Sequence, residues 1–275
     1  MRVSIITPSF RSGRWLKLCI ASVADQRVEH EHLVQDAGSD DGTLDWLPQE
    51  SRVRAFVERD QGMYDAINRG LRRATGDILA WLNCDEQYLP GALATVDSFF
   101  GKYPEVDVLF GDVVLVGDRG QYLAHRKMQV PLQYHTWTCH LSTLSCGTFF
   151  RRRVVADYGL AFDPKLRDVG DGEWMVRLLR RGVRMAALGV FTSAFTQTGA
   201  NMSAGPNARS EARALRASAP AWARGLKPVW ILHHRLRRLL GGMYRQRPFA
   251  YEIYTLDSPE RRQRVGVTWP VFYRG

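Results

Sequence analysis

Residues 77–91 read DILAWLNCDEQYLPG, and this stretch carries the residues best suited to chemistry. An apolar run from Ile78 to Leu82 is followed directly by Asn83, Asp85 and Glu86. A short apolar run that ends in a polar turn is typical of a buried parallel strand whose carboxyl end meets a ligand. Hard carboxylate oxygens suit Mg²⁺ or Mn²⁺, which complete their shells with water and substrate phosphates. We therefore predict a divalent cation site, with Asp85 as the main ligand and Glu86 as a weaker one.

Polar and small residues also follow the other predicted strands of the N-terminal part. Because the carboxyl ends of parallel strands lie at one edge of a sheet, we expect these residues to converge on a nucleotide site. The candidates are Thr7, Pro8, Ser9 and Phe10 after the first strand, Asp36, Gly38 and Ser39 after the second, and Asp60 and Gly62 after the third. A simpler interpretation of Asp36 or Asp85 alone is a residue that caps a turn.

The elements that must position these residues alternate between strands and helices. Strand-like runs begin near residues 3, 30, 53 and 77, and the second of them ends at Asp36. Helical spacing follows the first and third runs, with a further helix expected from about Leu44. A helix over 92–101 and a hairpin that turns at residues 117–120 come next. The chain is predicted to be α/β. It has neither a GxGxxG after the first strand nor a GxxxxGK[ST], which argues against dinucleotide-binding and P-loop enzymes.

The 275 residues carry a formal charge of +10 that is unevenly distributed. Residues 207–275 contain 14 Lys or Arg against 4 Asp or Glu, whereas residues 1–206 are balanced. The basic excess is therefore a regional feature. The four cysteines form no CxxC pair, and the N-terminus lacks a signal-peptide pattern, so a cytoplasmic protein is expected.

Taken together, five segments in this order resemble the inverting family 2 glycosyltransferases with the GT-A fold, of the bacterial exopolysaccharide, capsule and O-antigen type. They are SIITPSF, VQDAGSDDGT, ERDQGMYDAINRGLRRATGDILAWLNCDE, TFFRR and GDGEWMVRL, and the resemblance covers roughly residues 3–205. It implies a mostly parallel, Rossmann-like sheet with flanking helices over residues 1–206. Residues 1–100 would form the nucleotide-binding half and residues 101–206 the acceptor half.

The same resemblance implies roles for individual residues. Asp171 would take the proton from the acceptor hydroxyl, with Glu173 supporting it or contacting the acceptor. Asp36 would accept from the base of the nucleotide, and Asn68 would contact the donor. Asn83 stands where the family's metal motif commonly has a first Asp, and it could bond a ribose hydroxyl. The alternatives are that Asp171 only caps its helix and that Asn68 lies on a solvated helix face.

The C-terminal segment 207–275 is predicted to be a basic, amphipathic, helical extension. Within residues 227–247, Leu232, Leu236, Leu239, Leu240 and Met243 form one helical stripe that arginines, Trp230 and Tyr244 border. Such a helix suits an anionic membrane surface, and packing on the catalytic domain or on a second subunit is the alternative.

The predicted activity is transfer of a sugar from a nucleoside-diphosphate sugar, with uridine diphosphate as the carrier that the resemblance favours, to a glycan or lipid-linked acceptor. The enzyme would act in the cytoplasm, with a peripheral position at the inner face of the membrane as an option. A different class, a non-enzymatic polyanion-binding protein that uses the basic tail, is the alternative. Since acids gather at the predicted strand ends, no nucleic acid partner is expected.

Overall fold

A computed structural model describes residues 1–199 and 206–273. Its N-terminal part is built from repeated strand and helix units. Their bounds are β1 (Val3–Ser9), α1 (Gly13–Ala24), β2 (His30–Asp36), β3 (Arg54–Val57), α2 (Met63–Arg73), β4 (Ile78–Trp81), β5 (Glu86–Tyr88) and α3 (Ala92–Lys102). In place of the helix expected from about Leu44, the chain forms two short 3-10 turns, Thr43–Asp45 and Leu47–Gln49. Pro48 lies inside the second turn and has no N–H with which to continue a helix.

The following part contains longer strands and shorter helices. They are β6 (Val108–Gly117), β7 (Tyr122–Arg126), α4 (Gln133–Thr138), β8 (Thr148–Arg151), α5 (Arg153–Ala156), α6 (Gly170–Arg180) and β9 (Met185–Gln197). The predicted turn joins β6 to β7, which pair as an antiparallel hairpin. The prediction of this hairpin and of helix α3 is confirmed.

One nine-stranded sheet runs through the fold in the order β3-β2-β1-β4-β8-β6-β9-β5, with β7 on the side of β6. The strands β3, β2, β1 and β4 are all parallel, as predicted. Beyond β4 the sheet is mixed, because β8 is antiparallel to both β4 and β6. The mostly parallel character therefore holds only for the N-terminal part. The largest apolar cluster fills both parts of the sheet and its helices, so they share one core.

The C-terminal segment is only partly helical. It contains α7 (Pro206–Ala217), α8 (Ala221–Gly225), α9 (Lys227–Leu240), β10 (Phe249–Thr255) and β11 (Ser258–Val267). The strands β10 and β11 form a separate antiparallel hairpin, which corrects the prediction of an all-helical extension. The hairpin contacts α1, and the helices contact α4, so the segment packs on the main sheet domain. The predicted boundary at residue 206 adjoins residues 200–205, which lie outside the described residues.

Helix α9 has an outer face that is apolar and exposed. Leu232, Leu236, Leu239 and Leu240 are 58%, 45%, 63% and 85% exposed. The helix ends at Leu240, directly before the glycine pair that the sequence suggested as an interruption. Trp230 differs from its predicted interfacial position, because it packs beside Tyr134 and donates its indole N–H to Ala223 O. Throughout residues 1–199 and 206–273, no helix is both long and apolar enough to cross a bilayer.

Candidate active site

A cavity of about 1730 Å³ opens at the carboxyl ends of β1 to β4. Its walls include these predicted residues: Pro8, Ser9, Phe10, Gly38, Asp60, Gly62, Asn83, Asp85 and Asp171. Strand ends therefore converge as the α/β pattern indicated, and the residue Asp171, which lies much later in the chain, joins them. The other predicted site residues are Thr7, Asp36, Ser39, Asn68, Glu86 and Glu173, and they are not among the residues that line this cavity.

Asp85 lies in the loop between β4 and β5, at the wall of the cavity. Strand β4 is buried along its whole length, which fixes the position of this loop. Burial raises the pKa of the Asp85 carboxyl, and no described side chain donates a hydrogen bond to it. Nearby, Asn83 Oδ1 is buried and has no partner. A carboxylate without a side-chain donor and an amide oxygen without a partner, both at the end of one strand, fit a divalent cation of the Mg²⁺ or Mn²⁺ type.

Glu86 has a different position from the one predicted. It is fully buried at the start of β5, accepts from the main-chain N–H of Asn83 at 2.8 Å, and accepts from Ser145 Oγ at 2.6 Å. Burial, followed by the charge of Asp85, raises the pKa of Glu86 to about 8. Glu86 therefore stabilises the loop at Asn83 from the buried side. This corrects the prediction that Glu86 is a metal ligand in the cavity.

Asp171 occupies the first turn of α6 and also faces the cavity. Its Oδ1 accepts from the main-chain N–H of Gly172 at 2.7 Å, and the hydroxyl of Tyr64 lies 3.4 Å away. Burial raises the pKa of Asp171, while these donors act in the opposite direction. A half-buried carboxylate with a raised pKa at a cavity wall is suited to accept a proton. The N-cap of α6 is Val169 and Asp171 already lies inside the helix, so the helix-capping alternative does not describe Asp171.

Glu173 points elsewhere. Both of its oxygens accept from Arg177 Nε, at 2.7 and 2.9 Å, in an ion pair one turn apart on α6. The same arginine donates to Ala161 O, which ties the pair to the preceding loop. The position of Glu173 thus supports α6 and does not place its carboxylate beside Asp171.

The buried Asp36 organises the loop beneath the cavity. Its Oδ1 accepts from the N–H groups of Gly38 and Ser39 at 2.9 and 2.7 Å, and its Oδ2 accepts from the hydroxyls of Ser9 and Ser39, both at 2.8 Å. Asp36 is fully buried, with these four hydrogen bonds to its carboxylate. Asp36 therefore shapes the loop that carries Gly38. In this conformation its carboxylate is directed towards these four donors and not towards a nucleotide base, as had been predicted.

Thr7 and Asn68 are also turned into the protein. Thr7 Oγ1 lies 2.8 Å from His32 Nε2, and both groups are buried between β1 and β2. Asn68 Nδ2 donates to Phe162 O at 2.8 Å, and Asn68 Oδ1 accepts from Phe162 N at 3.0 Å. Asn68 therefore joins α2 to the loop before α6. Neither the solvated helix face nor the predicted donor contact describes it.

Sequence reasoning missed several residues of the cavity wall. Among them are Tyr64, which contacts Asp171, the arginines Arg59 and Arg167, and the aromatic residues Trp15 and Trp46. No described acid pairs with Arg59 or Arg167, so both are free to contact phosphate oxygens. The sequence offered one indication of Arg167, namely that a basic residue stands a few positions before the candidate base Asp171. Gly62 has φ +130°, and a Cβ there would meet Arg167 Nη1 at 2.6 Å, so glycine lets the arginine approach.

Solved structures with the same fold include S. aureus TarS and a mannosyltransferase. Crystal structures of S. aureus TarS 1-349 in complex with UDP-GlcNAc match with a TM-score of 0.64 and 19% identity, over 87% of this chain and 73% of that chain. The mannosyltransferase PcManGT from Pyrobaculum calidifontis, in complex with GDP-Man and Mn²⁺, matches with a TM-score of 0.52 and 16% identity, over 87% and 78%. The chain has the GT-A fold of these transferases.

Curated relatives match over shorter segments. A PGL/p-HBAD biosynthesis glycosyltransferase from Mycobacterium bovis is 37% identical over 119 residues, which are 41% of this chain and 46% of that relative. Glycosyltransferase AglE from Haloferax volcanii is 28% identical over 197 residues, which are 66% and 62% of the two chains. The match thus spans about half the length of the mycobacterial relative. The model of the glycosyl transferase family 2 matches residues 4–159, and the chain belongs to this family.

Proposed function

We propose that this protein is an inverting glycosyltransferase that moves a sugar from a nucleoside-diphosphate sugar, with uridine diphosphate as carrier, to a hydroxyl of a glycan or lipid-linked acceptor. One observation carries the proposal. Asp85, a carboxylate to which no described side chain donates, and Asp171, a carboxylate with a raised pKa, line the same cavity in a chain of family 2. The structures matched above contain UDP-GlcNAc and GDP-Man, which supports a nucleotide-sugar donor.

Asp85 and Asn83 Oδ1 are the groups that would hold Mg²⁺ or Mn²⁺. When bound, such an ion offsets the negative charge that gathers on the departing diphosphate. Arg59 and Arg167 lie on the same cavity wall and add positive charge for the phosphate oxygens. The exposed ring of Phe10, with Trp15 and Trp46, provides apolar surface for the base.

Asp171 accepts the proton of the acceptor hydroxyl as its oxygen attacks the anomeric carbon of the donor sugar. The bond from that carbon to the diphosphate breaks as the new carbon–oxygen bond forms, and the electron pair leaves with the nucleoside diphosphate. Attack and departure occur on opposite faces, so the configuration inverts. No covalent intermediate is needed, and one carboxylate base is enough.

The apolar face of α9 would place the enzyme on an anionic membrane that presents the acceptor. Trp222, Leu226 and Val229, on or next to α8 and α9, are also exposed, and exposed Arg224, Lys227 and Arg235 lie on the same two helices. Exposed leucines bordered by cations are complementary to a surface of acyl chains and anionic headgroups. Biosynthesis of a surface polysaccharide at the inner face of the membrane is the setting that this arrangement supports.

Calorimetric titration with UDP, GDP and dTDP, each with Mn²⁺ and with EDTA, tests the donor assignment. We expect binding of UDP that needs the metal and that Asp85→Ala abolishes. Asp171→Asn should retain this binding and lose transfer by a factor of about 10² to 10⁴. Binding of no nucleotide, together with salt-sensitive binding of RNA, would instead identify a polyanion-binding protein.

A further inference from the structure

Five basic side chains form a cluster away from the donor cavity, where β7, α4 and α9 meet. This Arg–His cluster consists of Arg126, His135, His140, His234 and Arg238. The rings of His135 and His234 are stacked with centroids 3.9 Å apart, and the ring of His140 lies 4.7 Å from that of His135. None of the five residues lines the donor cavity.

The two arginines of the cluster are buried without an acid. Arg126 and Arg238 are each 5% exposed, and neither forms an ion pair within the described residues. The buried Nε atoms of both, and Nη2 of Arg238, lack a hydrogen-bond acceptor. Tyr273 and Phe272 offer ring faces 5.7 and 5.4 Å from the guanidinium carbons, and Arg238 also bonds the hydroxyl of Tyr244. The three N–H groups named above still lack an acceptor. Burying an unpaired charge is costly, so a missing anion is the simplest partner.

The histidines add donors that point into the same region. His135 Nδ1 and His234 Nε2 are buried and have no partner, and His234 Nδ1 lies 3.3 Å from Gln129 Nε2. Burial, followed by neighbouring positive charge, lowers the pKa of His135 to about 3 and that of His234 to about 2. Neutral imidazoles can donate to an anion without adding to the repulsion between the arginines.

The charge of the cluster selects the kind of ligand. Ring nitrogens of the three histidines lie within 4.8 Å of one another, a spacing that would also permit a metal ion. Two adjacent guanidinium groups repel a cation, however, and planar guanidinium groups match the oxygens of a phosphate. The exposed side chain of His140 marks the side from which a ligand enters.

We infer that the Arg–His cluster is a binding site for a phosphate group, supplied by a lipid headgroup or by free phosphate. Arg238 and His234 lie on the buried side of α9, whose opposite side carries the exposed leucines. A phosphate held here would lie beneath the helix that we place on the membrane. The site is separate from the donor cavity, so the inference does not depend on the proposed transferase activity.

The test measures phosphate binding by the full chain, and the variants below separate binding at the Arg–His cluster from any binding to Arg59 and Arg167 in the donor cavity. Inorganic phosphate and pyrophosphate are titrated calorimetrically in EDTA without nucleotide, and unfolding temperatures are recorded in parallel. We expect Arg126→Gln and Arg238→Gln each to weaken binding about tenfold or more, since each loses charge-assisted hydrogen bonds. Arg264→Gln, which removes the same charge from an exposed position of β11, should bind like the wild type.

Unfolding temperatures distinguish lost binding from lost folding. Phosphate should raise the unfolding temperature of the wild type, because it binds only the folded state. In phosphate-free buffer, Arg238→Gln should unfold at the wild-type temperature or above it, since it removes an unpaired buried charge. Arg126→Lys keeps the charge and should retain part of the binding, which serves as a second readout if a glutamine variant fails to fold.

A second arm identifies the source of the phosphate. Vesicles of phosphatidylcholine alone are compared with vesicles that also contain phosphatidic acid. If phosphatidic acid vesicles raise the unfolding temperature, and this rise requires Arg126 and Arg238, the ligand is a lipid headgroup. If only free phosphate raises the unfolding temperature, the ligand is soluble. No response to either, or an equal loss in Arg264→Gln, overturns the inference. Stoichiometric Zn²⁺ binding that His135→Gln abolishes, without phosphate binding, would overturn it in favour of a metal site.

Discussion

The hydroxyl of Tyr64 contacts Asp171 at two points. It accepts a hydrogen bond from the main-chain N–H of Asp171 at 3.1 Å, and it lies 3.4 Å from Oδ1 as a donor. Tyr64 is 1% exposed on α2, and its ring stacks on Phe162 with centroids 5.5 Å apart. The tyrosine is therefore rigid, and it fixes both the start of α6 and the carboxylate of the candidate base.

Tyr64→Phe should slow transfer about tenfold to a hundredfold while leaving the dissociation constant of UDP unchanged, because only the positioning of the base is affected. The Tyr64 hydroxyl lowers the pKa of Asp171. Its removal should therefore raise that pKa and move the acidic limb of the kcat/KM profile to higher pH. Tyr251→Phe, which removes a buried hydroxyl bonded to Gly120 O, is the control. An unchanged profile in Tyr64→Phe would contradict the positioning role.

Asn68→Ala should reduce the free energy of unfolding by about 2 to 4 kcal/mol, since it leaves the main-chain N–H and C=O of Phe162 without partners. UDP affinity should not change. Urea unfolding and calorimetry measure the two quantities. The exposed Asn207, which contacts Asp168 and Glu211, provides the control Asn207→Ala, with an expected change within about 0.5 kcal/mol. A tenfold loss of UDP affinity at unchanged stability would place Asn68 in the donor site after all.

The buried His32 should make the fold sensitive to acid. Burial, followed by the charges of His30 and Arg52, lowers the pKa of His32 from 6.5 to about 3. Between pH 6.5 and pH 3 the unfolded chain therefore takes up a proton at this residue that the folded chain does not, and stability falls as pH falls. From pH 7 to pH 5 this amounts to about 2 kcal/mol.

Urea unfolding at the two pH values measures this loss. His32→Gln should lose about 2 kcal/mol less than the wild type over the interval, whatever its absolute stability. His233→Gln, at an exposed position of α9, should match the wild type. Equal losses in all three proteins would show that His32 does not take part.

The leucines of α9 should determine membrane binding. Leu236→Glu combined with Leu240→Glu should weaken binding to anionic vesicles by more than tenfold, because burial of each leucine contributes roughly 1.5 to 3 kcal/mol. Vesicle sedimentation measures the effect, and the dissociation constant of UDP should remain the same. Leu123→Glu, at an exposed position of β7, is the matched control. If vesicle binding persists and a dimer dissociates instead, the face binds a second copy.

The parallel part of the fold was predictable because its strands are short apolar runs with buried ends. Strands β1, β2 and β4, helix α2 and the convergence of Asp60 and Asp85 on one cavity follow from patterns local to each segment, whereas Asp171 was indicated by the family resemblance. The C-terminal hairpin was missed because β11 reads SPERRQRVGV, with little alternation of apolar and polar residues. The position of β11 is set by its pairing with β10 and its contacts with α1, which its own sequence does not reveal.

The direction of individual side chains depended on partners distant in sequence. Asp36 at the end of β2 lies opposite Ser9 on β1 in the parallel register, so the two side chains satisfy each other. Glu86 is held by Ser145, and Asn68 by Phe162. A pattern that places an acid at a strand end therefore locates the site without showing which oxygens remain free for a ligand.

The hairpin of β10 and β11 has a consequence for synthesis on the ribosome. Arg262 on β11 pairs with Asp25, 237 residues earlier, and also donates to Tyr88 O. Tyr251, Ile253 and Val267 of the hairpin cover an apolar surface made by Leu89, Val114, Val116 and Ala194. Since the N-terminal part emerges and folds first, this surface stays open until residues 249–267 have been made. Nascent chains are thus exposed to aggregation up to that point, and truncation before the hairpin would make that exposure permanent.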